Sequence, residues 1–161
     1  MAETIGKMNN VWWKLKSFQE LSNEELYQMM RLRLEVFVLE QNCVYQDADG
    51  KDLQALHLMG HDTEGDLVAY ARILPAGISY REASIGRIVT SKKARGNGTG
   101  KQLMSKAMEC IKEKMGDVSV KISAQSYLQK FYEVFGFEVS GNEYQEDGIP
   151  HIAMIYNATK R

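Results

Sequence analysis

The sequence has little of what marks secreted, metal-binding or membrane-spanning proteins. Its two cysteines, Cys43 and Cys110, lack the short spacing of a zinc site and are too few for a disulfide framework. No apolar stretch approaches the roughly 20 residues that a membrane-spanning helix needs. The polar N-terminus lacks the apolar run of a signal peptide. We therefore expect a cytoplasmic protein that neither enters a membrane nor holds a metal ion.

An excess of one charge is also missing. The chain carries 20 basic and 21 acidic side chains and a formal net charge of -1, whereas a nucleic-acid-binding domain is usually strongly basic. Its 161 residues, 44% of them apolar, suffice for one globular domain, and they contain no linker, internal repeat or low-complexity tract. We predict a single domain over residues 11–161, a disordered segment over residues 1–10, and no nucleic-acid partner.

Periodicity predicts a mixture of helices and strands. Ser22 and Glu25 have the spacing of a capping box, and apolar residues at helical spacing extend the predicted helix to about Leu39. Two further helices are predicted over residues 98–115 and 126–135. The predicted strands cover residues 11–18, 56–61, 67–74, 85–90, 118–123, 137–140 and 152–156. Their order, β-α-β-β-β-α-β-α-β-β, favours a three-layer α/β domain around a mixed sheet.

A glycine-rich segment, Arg-Gly-Asn-Gly-Thr-Gly-Lys from Arg95 to Lys101, connects a predicted strand to a predicted helix. Glycines let the backbone approach a ligand closely, and the N–H groups and partial positive charge of a helix N-terminus favour an anion. Arg95 could add bidentate contacts to a phosphate. The alternative is a glycine-rich turn that only begins a helix, and the segment alone does not separate the two.

Spacing excludes two common phosphate-binding loops. A Walker A loop requires Ser or Thr after its lysine, but Gln102 follows Lys101. A dinucleotide fingerprint requires a glycine three places after Gly100, where Leu103 stands. The spacing that fits, Arg-x-x-Gly-x-Gly, resembles the pyrophosphate loop of the GNAT acetyltransferases. The resemblance implies that the CoA diphosphate is held by Arg95, Gly96, Asn97, Gly98, Thr99, Gly100 and Lys101.

The segment from Gln125 to Phe137 is similar to a second GNAT pattern, Asn-x-x-Ala-x-x-Phe-Tyr-x-x-x-Gly-Phe. The resemblance implies that Tyr132 lies near the CoA sulfur and protonates the departing thiolate, a task that suits a phenol with an ordinary pKa of about 10. The chain departs from the pattern at Gln125, where asparagine is common and contacts CoA, and at Leu128, where alanine is common. Aromatic packing in the core is the alternative role for Tyr132, as for the neighbouring phenylalanines.

Three more stretches narrow the resemblance. Residues 32–53, residues 69–74 with 85–87, and Glu-Asp-Gly-Ile-Pro-His at 146–151 look like the ElaA-like branch of the GNAT superfamily, over about residues 12–154. The resemblance implies an α/β/α GNAT fold with a mixed, centrally splayed sheet and acetyl-CoA as the donor. It also implies that pantetheine pairs with the free edge of the strand at Ile88, Val89 and Thr90, and that an amine attacks the thioester directly.

The acceptor is expected near the first helix and the polar stretch that follows it. His151 is a candidate general base because histidine titrates near neutral pH, although a structural hydrogen bond is the alternative. Other candidate bases are Glu40, Asp47, Asp49, Glu82 and Asp147. The residues assigned to acceptor binding are Arg33, Phe37, Glu40, Cys43, Tyr45, Arg72, Arg87 and Asp147.

Arg72 and Arg87 lie within apolar strand patterns, and buried arginines need partners. They would either clamp a substrate carboxylate or form ion pairs with Glu35 or Glu40.

The function implied by the resemblance is transfer of an acetyl group from acetyl-CoA to a primary amine of a small molecule or peptide. Two alternatives stay open. One is an acyl-CoA-binding sensor without turnover, and the other is an acyl-homoserine-lactone synthase, suggested faintly by residues 33–37. Relatives of this fold often dimerise, so a homodimer is possible, and no exposed apolar stripe in the sequence decides the oligomeric state.

Overall fold

The computed structural model describes residues 3–8 and 10–158, and these residues form one mixed sheet with helices on both faces. The strands are β1 (Glu3–Met8), β2 (Val11–Ser17), β3 (Leu56–His61), β4 (Leu67–Leu74), β5 (Ala83–Thr90), β6 (Val120–Gln125), β7 (Glu138–Val139), β8 (Tyr144–Glu146) and β9 (Ile149–Tyr156). The helices are α1 (Asn23–Arg33), α2 (Thr99–Met115) and α3 (Gln129–Glu133). The strand order is β1-β2-β3-β4-β5-β6-β9-β7, and β8 also pairs with β9.

The first helix begins as the sequence predicts and then changes type. Ser22 Oγ accepts a hydrogen bond from the Glu25 amide, and the Glu25 carboxylate accepts one from the Ser22 amide, which confirms the capping box. Beyond α1, residues Leu34–Glu40 form a π-helix. Its wider turns are seen in the 3.0 Å hydrogen bonds from the amides of Gln41 and Cys43 to carbonyls five residues earlier. Such turns are frequent at functional sites.

Two apolar cores, one on each face of the sheet, make the three layers. On one face α1 and the π-helix contribute Met29 and Val36, which pack with Tyr70 and Val89 of the central strands. On the other face α2 contributes Leu103, and a larger cluster extends from there to α3 and the remaining strands. Helices on both faces explain why β4 is buried along its whole length. The structure confirms the three-layer α/β/α fold with a mixed sheet.

The sheet opens at its centre. β5 is antiparallel to β4 but parallel to β6, and its pairing with β6 is confined to Ala83 with Val120 and Ser84 with Lys121. The register between β4 and β5 also shifts beside Arg87, whose φ of 50° marks a bulge that bends the strand. Beyond Ser84 the two strands diverge, which confirms the centrally splayed sheet.

The N-terminus and two smaller elements differ from expectation. Residues 3–8 were expected to be disordered, but they form β1, which pairs antiparallel with β2 through a turn at Asn10; residues 1, 2 and 9 lie outside the described residues. The third predicted helix is shorter, because Ser126–Leu128 is a 3-10 turn before α3. β8 was not predicted. Within the described ranges no helix is long and apolar enough to cross a membrane.

Candidate active site

A cavity of about 770 Å³ opens where β5 and β6 diverge. Its walls come from these two strands, the π-helix, the segment around α3 and the turn between β8 and β9. It brings together most of the residues that the sequence singles out. Those that line it are Phe37, Glu40, Cys43, Tyr45, Asp49, Arg72, Arg87, Ile88, Val89, Thr90, Arg95, Gly100, Gln125, Tyr132, Asp147 and His151.

One wall of the cavity is the free edge of β5. Val89 and Thr90 pair with Tyr70 and Ala69 of β4 on one side. On the other side the pairing with β6 ends at Ser84, so Ile88, Val89 and Thr90 face the gap. Unpaired N–H and C=O groups of a strand edge are hydrogen-bonding sites for an extended chain. A ligand with amide groups could therefore align along this part of β5.

The glycine loop follows β5 in the chain and lies at the rim of the cavity. Gly96 and Gly98 have φ values of 83° and 86°, the left-handed region that glycine enters without steric cost. Asn97 Oδ1 accepts hydrogen bonds from the amide and the hydroxyl of Thr99, at 3.2 and 2.6 Å. The side chain of Asn97 is thereby committed to shaping the loop. Of the seven residues, Arg95 and Gly100 line the cavity, whereas Gly96, Asn97, Gly98, Thr99 and Lys101 do not.

Arg95 joins the end of β5 to the π-helix. Its Nη2 donates to the Thr90 carbonyl at 2.9 Å, and its Nη1 lies 2.7 Å from Glu40 Oε2. On the same side, Gln125 Nε2 donates to Gln41 Oε1 at 3.3 Å across the cavity. Polar contacts therefore connect the end of the π-helix with both diverging strands.

Tyr132 belongs to the core and to the cavity at once. It is 5% exposed, and its ring makes edge contacts with Phe131 and Phe137, with centroids 5.1 and 6.3 Å apart. Burial, with a smaller effect of Tyr127, raises the pKa of the Tyr132 hydroxyl above its ordinary value. The hydroxyl is therefore held in its protonated form, which is the form that can donate a proton.

His151 has one ring nitrogen fixed as a donor. Its Nδ1 lies 2.7 Å from the Ile149 carbonyl oxygen, and because a carbonyl only accepts, Nδ1 carries the hydrogen. In the neutral ring Nε2 is then the acceptor, and it lies 3.4 Å from Glu146 Oε2. The ring stacks against Tyr144 and is 7% exposed. His151 Nε2 therefore lies in the cavity beside the Glu146 carboxylate.

The three predicted arginines meet three aspartates. Arg33 Nε and Nη1 lie 2.8 Å from Asp47 and from Asp52, respectively. Arg72 holds Asp49 with both terminal nitrogens, at 2.7 and 2.9 Å, and reaches Asp52 at 3.0 Å. Arg87 Nε lies 2.8 Å from Asp47, although its N–H is not aligned for a hydrogen bond. The predicted partners Glu35 and Glu40 are therefore wrong, and the loop aspartates take their place.

The network changes the roles expected of its members. The Arg33 side chain is fully buried and does not line the cavity, so the structure does not bear out its assignment to acceptor binding. Burial alone would raise the pKa of Asp49, but hydrogen bonds and charge from Arg72 outweigh it and lower that pKa. A carboxylate whose pKa is lowered in this way is a poor base. Glu82, another candidate base, lies outside the cavity.

The side chains of Cys43 and Tyr45 also form hydrogen bonds within the protein. Cys43 Sγ donates to the Asp147 carbonyl at 3.3 Å, which ties the π-helix to the turn between β8 and β9. The Tyr45 hydroxyl donates to Asp47 at 2.6 Å, while its ring lies under the Arg87 guanidinium. Both cysteines are free thiols, and the described residues contain no cluster of three or more groups that could hold a metal.

Several polar residues of the cavity were given no site role from the sequence. They are Lys51, Ser79, Tyr80, Ser123 and Glu146. Alternation along β6 could have placed Ser123 on the same face as Gln125. Nothing in the pattern of residues 75–82 indicates that this loop reaches the cavity.

The comparisons with known proteins agree with this fold. The family model described as "Acetyltransferase (GNAT) domain" matches residues 18–158, and the chain therefore belongs to the GNAT acetyltransferase family. Within that family it is similar to Protein ElaA of Escherichia coli K12, which is 45% identical over 144 residues, or 88% of this chain and 94% of ElaA.

Solved structures support the same branch. The crystal structure of Escherichia coli ElaA matches with a TM-score of 0.86 and 43% identity, over 91% of this chain and 99% of that one. An acyl-CoA N-acyltransferase from Pseudomonas aeruginosa matches with a TM-score of 0.86 and 42% identity, over 90% and 98%. The AHL synthase LasI, at 16% identity and a TM-score of 0.74 over 92% and 90%, shares the fold alone.

Proposed function

We propose that the protein is an N-acetyltransferase that moves the acetyl group of acetyl-CoA directly to a primary amine of a small molecule or peptide. The observation that carries the proposal is the free edge of β5 at Ile88, Val89 and Thr90, which runs inside the cavity from the glycine loop toward Tyr132 and His151. An amide-bearing arm along that edge would place its thioester between the two polar side chains.

The donor half of the cavity fits an acyl-CoA. Arg95 offers a guanidinium at the rim, and the loop that follows it leads into the N-terminus of α2, which favours a diphosphate. The backbone N–H groups of β5 along the gap could polarise the thioester oxygen and stabilise the charge that develops on it. Gln125 lies on the opposite strand and could contact the same arm.

In the proposed reaction, His151 and Tyr132 each carry out one proton transfer. The neutral amine attacks the thioester carbon, the C–N bond forms and the C–S bond breaks. His151 Nε2 accepts the proton that the amine loses, and Tyr132 donates a proton to the departing sulfur. Exchange with solvent then restores both groups. Glu146, 3.4 Å from Nε2, would neutralise the charge on His151 during the step.

The experiment measures binding and turnover separately. Thermal shift with acetyl-CoA, CoA and longer acyl-CoAs tests binding, and release of free thiol in the presence of amines tests transfer. Tyr132→Phe should lower kcat by about 100-fold or more while the Kd of acetyl-CoA changes little. Tyr27→Phe, on the exposed surface of α1, is the matched control. His151→Gln should lower kcat while the Kd of acetyl-CoA changes little.

The outcomes separate the alternatives. Failure to bind any acyl-CoA would refute the proposal. Binding without thiol release from any amine would favour the sensor. Loss of acetyl-CoA binding in Tyr132→Phe would remove its role as an acid. We place the reaction in the cytoplasm, which the two free, buried thiols support.

A further inference from the structure

The cavity wall carries a positive charge, that of Lys51, in addition to those of the arginines that pair with Asp47, Asp49 and Asp52. The three guanidinium groups of these arginines are neutralised by the three carboxylates. Lys51 adds a further cation: its Nζ donates to Ser79 Oγ at 2.8 Å and has no carboxylate within 4.0 Å in the part of the chain that the structure describes. Lys51 and Ser79 both line the cavity. This part of the wall can therefore stabilise a negative charge.

Arg72 lines the same part of the cavity but is committed to carboxylates. Its Nη1 donates to Asp49 and Asp52 at 2.7 and 3.0 Å, and its Nη2 donates to Asp49 at 2.9 Å. The Lys51 ammonium, rather than the Arg72 guanidinium, is therefore the group placed to meet a ligand anion.

The opposite wall carries an uncompensated acid. Glu146 Oε1 accepts a hydrogen bond from Ser123 Oγ at 3.2 Å, and its Oε2 faces Nε2 of His151. No lysine or arginine forms an ion pair with Glu146 among residues 10–158. The Glu146 carboxylate lines the cavity, where it can attract the ammonium group of a ligand.

The cationic and acidic groups line one cavity. Ser79 and Tyr80 contribute to its lining together with Ser123 and Glu146, and the Tyr80 ring lies 4.9 Å from Lys121 Nζ. A ligand in this cavity can therefore meet Lys51 and Glu146 with different groups.

We propose that the acceptor is an amino acid or a related amine that also carries a carboxylate, and that the two ends bind to opposite walls. Its amine lies at Glu146 and His151, and its carboxylate lies at Lys51 and Ser79. A diamine would bring a second cation against Lys51, which like-charge repulsion disfavours. This inference rests on the proposed function, because it names the substrate of the same site.

The test compares acceptors that differ in one group. Thiol release from acetyl-CoA is measured with amino acids, with their amides and with the matching amines that lack the carboxylate. The carboxylated forms should have a kcat/KM about 10-fold higher or more. Lys51→Met should raise KM for them about 10-fold and leave KM for the amides and for acetyl-CoA unchanged. Ser79→Ala is a second variant, and Lys112→Met on the exposed surface of α2 is the matched control.

Each result either supports or overturns the inference. Equal or better use of the amides, or an equal loss with both kinds of acceptor in Lys51→Met and in Ser79→Ala, overturns it while the proposed function stands. Absence of thiol release from every amine overturns both. Preference for carboxylated amines that disappears in Lys51→Met and not in Lys112→Met supports it.

Discussion

The Arg95 guanidinium lies 2.7 Å from the Glu40 carboxylate, so the one arginine of the glycine loop already has an anionic partner. The pair bridges the rim of the cavity, from the loop after β5 to the last residue of the π-helix. In the proposed reaction the CoA diphosphate would have to share Arg95 with Glu40 or replace it. We therefore expect Arg95 to strengthen the binding of CoA and Glu40 to weaken it.

Glu40→Gln should bind CoA more tightly, by up to about fivefold, because exposed ion pairs contribute about 0–1 kcal/mol. Arg95→Ala should bind CoA more weakly. Isothermal titration calorimetry with CoA measures both, and Glu113→Gln on the exposed side of α2 is the control. Weaker binding in Glu40→Gln than in the parent protein would show that Glu40 supports the donor rather than competing with it.

Arg33→Met should lower the free energy of unfolding by about 3–5 kcal/mol, because it leaves the buried charges of Asp47 and Asp52 without a partner. Urea unfolding followed by circular dichroism measures the change. Lys112→Met breaks an exposed ion pair of 3.9 Å with Asp117 and should cost less than about 1 kcal/mol. Similar small losses in both variants would mean that the network is not structural.

Acid should destabilise the protein through the same network. The pKa of Asp52, like that of Asp49, lies below the ordinary value of 3.8, because the arginines outweigh burial. The stabilisation is present above that value and is lost as the pH falls through the folded-state pKa. The urea concentration at the midpoint of unfolding is measured between about pH 7 and pH 2. It should fall steeply toward acidic pH in the parent protein and less steeply in Asp52→Asn. Equal slopes in both proteins would contradict this account.

Gly60→Ala should destabilise the fold by about 1–3 kcal/mol, because a Cβ there would lie 2.8 Å from Trp13 Cζ3 and 2.9 Å from Val11 Cγ1. Gly86→Ala is the control in the same sheet, since its Cβ would meet no atom within 4 Å. Thermal unfolding of the two variants without ligand measures the difference. An unchanged Tm in Gly60→Ala would show that Trp13 can move aside.

The sequence predicted best what is encoded locally. Ser22 and Glu25 lie within one turn, so their reciprocal hydrogen bonds need no tertiary information. The strand–loop–helix unit around Arg95 is similarly local, and the structure confirms it. The sequence could not show that only Arg95 and Gly100 of the loop line the cavity, because that depends on how the loop is oriented against α3.

Long-range partners were beyond sequence reasoning. Arg33 is buried on α1, and its partners Asp47 and Asp52 lie in an irregular loop whose path no periodicity describes. β8, with Tyr144 and Glu146 exposed, has no alternation that would reveal a strand. β1 exists as a strand because β2 offers an edge for pairing, which is a property of the folded sheet.

The divergence of β5 and β6 gives the sheet two edges in its interior as well as two at its rim. An edge at the rim can be reached by a passing polypeptide and is a site of aggregation. The edge on the wall of the cavity, beside Phe37 and Tyr132, is instead flanked by the π-helix and α3. In the proposed reaction, acyl-CoA would pair with backbone groups that these elements shield from other polypeptides. The divergence that admits the ligand would then not expose the sheet to aggregation.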